Sequence, residues 1–221
     1  ITKFCLHPEH WFRQKPRVGG TKQVRFDKVA DLKPDLIIGN KEENAQRQIE
    51  QLMEEYPVWM SDIRSLEDAL TMIRAVGELV DRSAQADQLA SDIQRTFDSM
   101  RSAAESWSFR GARVAYLIWN APMMAAASDT FIEAMLQACG MHNVFANTGS
   151  RYPNVTAAEL QAAKPDLILL SSEPFPFGEA HLRDFSERFP QSVPVLADGE
   201  MFSWYGSRLL QSPEHFAQLF R

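Results

Sequence analysis

Several features that define common protein classes are scarce or absent in this chain of 221 residues. Two cysteines, Cys5 and Cys139, are too few for a disulfide scaffold or a cysteine zinc site, and we expect free thiols. No apolar run approaches the roughly 18 residues of a membrane-spanning helix. The 23 Lys and Arg residues form no block and are outnumbered by 29 Asp and Glu, which argues against sequence-independent nucleic-acid binding.

Motifs typical of enzymes are also missing. The chain has no glycine-rich dinucleotide or phosphate loop and no nucleophile elbow. The segment His7-Pro8-Glu9-His10 is a candidate metal-binding cluster. However, Pro8 disfavours a helix that would place the two histidines side by side, and no third ligand is close in the sequence. We therefore expect a polar loop without a metal. Asp198 and Glu200 could act as acid and base, although such pairs in glycine-containing loops are commonly solvated.

One segment occurs twice. Val29–Ile38 recurs as Leu160–Leu169, and each copy predicts a helix end, a Lys-Pro-Asp turn and a short buried strand. The copies lie too far apart for a solenoid repeat, which favours two similar α/β lobes.

The region between the copies is helical. Apolar residues at helical spacing follow Ser65, a predicted N-cap with Asp68 at the third helical position. A second helix is predicted from about Gln85 to Ser106; it is either a long core helix or a rigid strut, and the flanking repeat favours the strut. The remaining elements are predicted strands at 57–60, 113–118 and 193–196 and a helix at 129–138, ended by Gly140.

These elements predict an α/β fold of two small lobes with parallel sheets, joined by a long rigid helix. We expect an N-terminal lobe at 1–82, a connecting helix at 83–107 and a C-terminal lobe at 108–221. A ligand cleft is expected between the lobes.

The loops that follow the predicted strands carry unusually many aromatic residues. In open α/β sheets ligands bind beyond the carboxyl ends of the strands, so these loops are candidates for a pocket that stacks on a flat ligand. Asp198 and Arg208 would supply polar anchors. The alternative is that most of these rings pack into the core. The set comprises Trp119, Tyr152, Phe175, Phe177, Phe202, Trp204 and Tyr205.

The order and spacing of several short segments resemble the helical-backbone periplasmic binding proteins of ABC importers, and most of all their cobalamin-binding branch. The segments are Val18–Lys22, Leu32–Ile37, Asn40–Asn44, Arg151–Pro153 and Asp198–Arg208. The resemblance implies a monomeric, non-enzymatic receptor in the periplasm or outside the cytoplasmic membrane, free or lipid-anchored, without an intrinsic cofactor. It would bind cobalamin or a similar large metal chelate, without nucleic acid as a partner.

The resemblance also implies residue roles. Tyr152 stands where relatives sandwich the corrin with an aromatic ring, and Asp198 and Arg208 stand at polar ligand contacts. Trp119, Trp204, Tyr205, Phe175, Phe177, His7 and Trp11 complete the expected ligand-binding set. Glutamates that dock to the permease dimer are expected at Glu42 or Glu43 in the first lobe and at Glu159, with Glu173 as its competitor, in the second.

Two departures from the family accompany the resemblance. The N-terminal lobe is expected to lack the first strand and helix of the family, and Asn40 stands where cobalamin binders carry a large aromatic residue.

Three alternatives stay open: a ferric-siderophore or haem receptor of the same fold, an α/β enzyme using Asp198 and Glu200, and an interaction module that binds a partner chain through its aromatic loops.

Overall fold

The computed structural model describes residues 1–221, which form two compact units, Ile1–Asp62 (unit 1) and Ile63–Arg221 (unit 2). Unit 1 contains α1 (Glu9–Gln14), α2 (Phe26–Leu32), β1 (Ile37–Asn40), α3 (Gln46–Met53) and β2 (Val58–Ser61). Unit 2 contains α4 (Leu66–Leu79), α5 (Ser83–Ala104), β3 (Arg113–Asn120), β4 (Met123–Ala125), α6 (Phe131–Ala138), β5 (His142–Asn143), α7 (Ala157–Ala163), β6 (Leu167–Ser171), α8 (Glu179–Arg188), β7 (Val193–Ala197), α9 (Gly199–Ser203), a 3-10 helix (Ser207–Leu210) and α10 (Ser212–Phe220).

Unit 1 has a small core. Its two strands pair in parallel, with Ile37 opposite Val58. Val29 of α2 forms a buried cluster with Ile49 and Leu52 of α3, and both strands contribute partly buried residues to it. Ile49 and Leu52 lie three residues apart and therefore share one face of their helix.

Unit 2 is built on a five-stranded sheet. Its strand order is β4-β3-β6-β7, and β5 pairs with β3. β3, β6 and β7 run parallel, and every residue of β6 is buried, as expected for a strand covered on both faces. Parallel pairing in both units confirms the predicted α/β class. The sequence analysis missed antiparallel β4, because three residues are too few to show a periodic pattern.

The two long helices belong to unit 2. The predicted cap is confirmed, because Ser65 Oγ accepts from the Asp68 N–H and Asp68 accepts in return from the Ser65 N–H. The predicted helix at about 85–106 is observed as α5, which packs against α4. Gly77 permits this close approach, since a Cβ there would lie 2.3 Å from Ala86 Cβ. The strut role of α5 and the predicted lobe boundaries stay predictions.

The repeated segment folds as predicted in both units. α2 and α7 each end in a lysine with left-handed backbone, Lys33 and Lys164, both at φ 47° and ψ 59°. A proline and an aspartate follow, and then the strand begins. Proline disfavours helical backbone in the residue before it, which explains why both helices stop here.

The two cysteines are free, as expected. Cys5 is half-buried and its Sγ lies 3.5 Å from Thr2 Oγ1. Cys139 is fully buried at the end of α6, and burial raises the pKa of its thiol far above the ordinary value. The thiol of Cys139 therefore stays protonated at neutral pH.

Candidate ligand-binding site

The loops of interest in unit 2 lie at one side of its sheet. Since β3, β6 and β7 are parallel, their carboxyl ends and the loops after them share one edge, which we call the carboxyl edge. The Arg151–Asn154 segment runs beside β4, because the Ala125 N–H donates to the Pro153 carbonyl at 3.0 Å. This pairing brings Tyr152 to the strand that follows β3.

The loop after β7 is shaped by Asp198 and a required glycine. Asp198 Oδ1 accepts from the Glu200 N–H at 3.1 Å and thereby caps the short helix α9. A Cβ on Gly199 would lie 2.5 Å from both Glu173 Cγ and Ser171 Oγ. Only glycine lets α9 approach the loop after β6 this closely.

Glu173 fixes the side chain of Trp204. Its Oε1 accepts a hydrogen bond from Trp204 Nε1 and another from Ser203 Oγ, each at 2.8 Å. Glu173 and Trp204 are both half-buried. The indole plane is thus held at the carboxyl edge by a contact between the loops after β6 and β7.

Arg208 is already paired inside the protein. Its Nη2 lies 2.6 Å from Glu200 Oε2, and both side chains are about one-fifth exposed. The Arg208 Nε is buried and has no hydrogen-bond acceptor in the structure. An oxygen of a bound ligand that accepts from this N–H would offset the free-energy cost of burying it.

Buried polar groups lie beneath this edge. The Tyr116 hydroxyl lies 3.1 Å from Ser171 Oγ, and Ser171 Oγ donates to the Glu173 carbonyl at 2.6 Å. Burial raises the pKa of Tyr116 strongly, and the charges of Glu173 and Asp198 raise it further. The phenol is therefore a neutral partner that fixes the base of the Glu173 loop.

The seven loop aromatics divide into core and edge residues. Phe202 is fully buried and Phe177 is 7% exposed, so both are core residues and we leave them out of the site. Phe175 contacts Trp119, which is 40% exposed, with ring centroids 5.6 Å apart. Tyr205 packs edge-on against Phe131, and Tyr152 is half-buried at the larger core cluster of unit 2.

The remaining candidate ligand residues lie in unit 1. His7 is exposed, and Trp11 on α1 is 51% exposed with its ring edge-on to His10. No group of three or more His, Cys, Asp or Glu side chains in the structure is placed to hold a metal ion.

The loop with Glu42 and Glu43 is organised by Asn40, whose role the sequence analysis missed. Asn40 Oδ1 accepts from the N–H groups of both glutamates, at 3.0 and 3.2 Å, and its Nδ2 donates to Ser61 Oγ. Asn44 Oδ1 in turn accepts from the Asn40 N–H. The pair of asparagines four residues apart was the available signal for such a turn.

The two candidates for the second docking glutamate differ in their contacts. Glu159 is exposed and caps α7, where its Oε2 accepts from the Thr156 N–H and hydroxyl, both at 2.7 Å. The hydrogen bond from the Thr156 backbone N–H, together with the one from its hydroxyl, lowers the pKa of Glu159. Glu173 is instead engaged by Trp204 and Ser203, so Glu159 is the better candidate for contact with a partner.

A groove in unit 2 lies among helices. It has a volume of about 650 Å³, is formed by α5, the 3-10 helix and α10, and includes Trp107, Leu210 and Pro213. None of the predicted site residues lines it.

Comparisons with known proteins define the family to which this α/β fold belongs. The family described as periplasmic binding protein matches residues 5–197, so the chain belongs to that family. Its fold is that of the helical-backbone class. The chain is a solute-binding protein of the ABC importer type and not an enzyme.

Individual relatives agree with this assignment. The Vitamin B12-binding protein of Pectobacterium carotovorum subsp. carotovorum (strain PC1) is 27% identical over 197 residues, covering 88% of this chain and 70% of that protein. The periplasmic vitamin B12 binding protein BtuF of Vibrio cholerae has a TM-score of 0.84 at 19% identity, covering 99% of this chain and 86% of that one. A periplasmic heme binding protein from Pseudomonas aeruginosa has a TM-score of 0.82 at 19% identity, covering 100% and 83%.

The family also bears on location. Periplasmic binding proteins work outside the cytoplasm, and membership therefore implies a periplasmic location. No helix of the structure combines the length and apolar character needed to cross a membrane. The predicted family and class of function are confirmed, whereas the individual site residues stay predictions.

Proposed function

We propose that the protein captures a corrinoid, or a similar large metal chelate, and delivers it to an ABC permease. The observation that carries this proposal is the hydrogen bond from Trp204 to Glu173, which presents a fixed aromatic plane at the carboxyl edge. Several relatives are named Vitamin B12-binding protein, which favours a corrinoid among flat chelates. Trp119 and Phe175 provide a second aromatic pair at the same edge.

The proposed ligand contacts in unit 2 combine stacking with polar bonds. Trp204, Tyr152, Trp119, Phe175 and Tyr205 would supply the rings, and Asp198 and Arg208 the polar contacts. His7 and Trp11 are proposed as contributors from unit 1. Stacked aromatic residues with a few fixed polar groups suit a large flat ligand with amide side chains.

Calorimetric titration with cyanocobalamin tests the ligand and the site together. Trp204→Ala and Tyr152→Ala should each weaken binding by about 1–3 kcal/mol, because each removes a ring from the proposed contact. Tyr56→Ala, which changes a half-buried ring in unit 1 outside the proposed set, should leave binding unchanged. Parent-like binding by both test variants would place the ligand elsewhere.

Haem and ferric siderophores are the alternatives of the same fold. Solved neighbours include a periplasmic heme-binding protein and an ABC-type Fe3+-hydroxamate transport protein, so hemin and a ferric hydroxamate belong in the same screen. A ligand at 100 times its dissociation constant raises the free energy of unfolding by about 2.7 kcal/mol, which a thermal shift detects.

The permease is proposed to contact Glu42 or Glu43 of unit 1 and Glu159 of unit 2. Glu43→Lys and Glu159→Lys should lower ligand-stimulated ATP hydrolysis by the reconstituted importer while calorimetry shows unchanged ligand binding. Glu179→Lys, an exposed change at the start of α8, is the control. Unchanged stimulation in both variants would exclude Glu43 and Glu159 as docking residues. Fractionation of the protein expressed in its native cells tests whether it is free or lipid-anchored.

A further inference from the structure

Glu173 carries a charge that no internal partner neutralises. Both groups that donate to its Oε1, the Trp204 indole and the Ser203 hydroxyl, are uncharged. The Arg208 guanidinium, in the loop after β7, is paired with Glu200. Partial burial of a carboxylate without an ion pair costs free energy, which hydrogen bonds from neutral donors offset only in part.

The position of this charge is fixed by the fold. Glu173 Cγ packs against Gly199, and the Glu173 backbone is held to Ser171 Oγ at the end of β6. Trp204 lies at the end of α9, which starts at Gly199. The carboxylate therefore lies directly beside the ring proposed to stack on the ligand, at hydrogen-bond distance from its Nε1.

We propose that Glu173 is a specificity-determining residue, which admits chelates with neutral amide side chains and excludes chelates with carboxylate side chains. The inference rests on the proposed function and names the ligand class that the site accepts. Like charges at short range repel, and the repulsion is stronger in a partly desolvated site than in water. A neutral amide next to Glu173 meets no such repulsion and can donate an N–H to it.

Two corrins that share ring and metal test this charge effect. Dicyanocobinamide carries amides around the ring, and dicyanocobyrinic acid carries carboxylates. Calorimetry or competition at low salt should show that the parent binds the amide corrin at least about tenfold more tightly, equal to about 1.4 kcal/mol. The preference should shrink at high salt, because salt screens the repulsion.

Glu173→Gln separates the charge from the hydrogen bonds. The Gln Oε1 still accepts from Trp204 and Ser203, so the indole stays in place while the negative charge is lost. The preference for the amide corrin should fall by about tenfold in this variant. Trp204→Phe, which removes the indole N–H and keeps the carboxylate, should weaken both corrins by a similar factor. Glu179→Gln, an exposed carboxylate on α8, is the matched control and should leave the ratio unchanged.

The outcomes separate the two levels of the argument. Tight binding of both corrins by the parent, or an unchanged ratio in Glu173→Gln, would overturn the specificity role and leave the proposed function standing. Failure of the parent to bind either corrin or cyanocobalamin would overturn the corrinoid as the ligand of the proposed function, and this inference with it. A lowered ratio in Glu173→Gln, with the Glu179→Gln ratio equal to that of the parent, supports the role of Glu173.

Discussion

The two Lys-Pro-Asp turns share a backbone conformation, but the strands that follow them differ in burial. In β1, Ile38 is 47% exposed, whereas Leu169 at the equivalent position of β6 is fully buried. Lys33 and Lys164 have the same left-handed φ and ψ. The end of each helix follows from the local sterics of proline, whereas burial depends on which elements cover the strand.

The difference extends to the two cores. In unit 2, Leu167 and Leu169 join one buried cluster and Ile168 and Leu170 join the other, so β6 has a core on each face. In unit 1 the buried cluster consists of three residues from two helices. The same motif therefore contributes very different amounts of stability in its two contexts.

Truncating the equivalent strand residues should show the largest contrast. Leu169→Ala should lower the free energy of unfolding by about 2–5 kcal/mol, because it leaves a cavity in a closely packed core. Ile38→Ala should change it by no more than about 0.5 kcal/mol, because the side chain is half exposed. Urea unfolding followed by circular dichroism measures both values. Similar losses in the two variants would mean that β1 is as well covered as β6.

Each unit carries one cysteine, which allows the units to be compared by thiol labelling. Cys5 should react with iodoacetamide in the native protein at least about 100-fold faster than Cys139, because Cys139 is buried and only the thiolate reacts. The variants Cys5→Ser and Cys139→Ser, labelled separately and followed by mass spectrometry, identify the reacting site. Equal rates at neutral pH would contradict a closed core around Cys139.

The aspartates of the two turns should differ by a smaller amount. Asp166 Oδ2 accepts from the Arg113 N–H at 2.7 Å, and the Asp166 N–H donates to the Arg113 carbonyl, which joins the turn to β3. Asp166→Ala should cost about 1 kcal/mol through loss of the side-chain bond. Asp35→Ala, which changes an exposed side chain in unit 1, should be close to neutral. Equal effects in urea unfolding would show that the bond to Arg113 contributes no stability.

The sequence predicted those features that depend on neighbouring residues along the chain. The Ser65 cap, the ends of α2 and α7 and the buried β6 all follow from short patterns of turn, capping and apolar residues. The cap formed by Glu159 is also predictable from the sequence, since Thr156 and Glu159 have the spacing of a capping box.

The contacts that shape the candidate site could not be predicted in the same way. Glu173 and Trp204 are 31 positions apart, and their bond depends on the pairing of β6 with β7. Gly199 is required by a side chain from another loop, which no local pattern records. The burial of Phe177 and Phe202 likewise depends on tertiary packing, so their positions in loops suggested exposure.

Replacing Lys33 or Lys164 by glycine tests the left-handed turn that the two units share. Of all the variants proposed, these should change the free energy of unfolding by a small amount only. A left-handed backbone is unfavourable for lysine and free of strain for glycine, while glycine increases the entropy of the unfolded chain. Lys33→Gly and Lys164→Gly should therefore each raise the free energy of unfolding by about 0.5 kcal/mol. Lys28→Gly, inside α2, should lower it by about 1 kcal/mol and serves as the control of opposite sign. Unequal effects at Lys33 and Lys164 in urea unfolding would show that the surroundings influence even the turn itself.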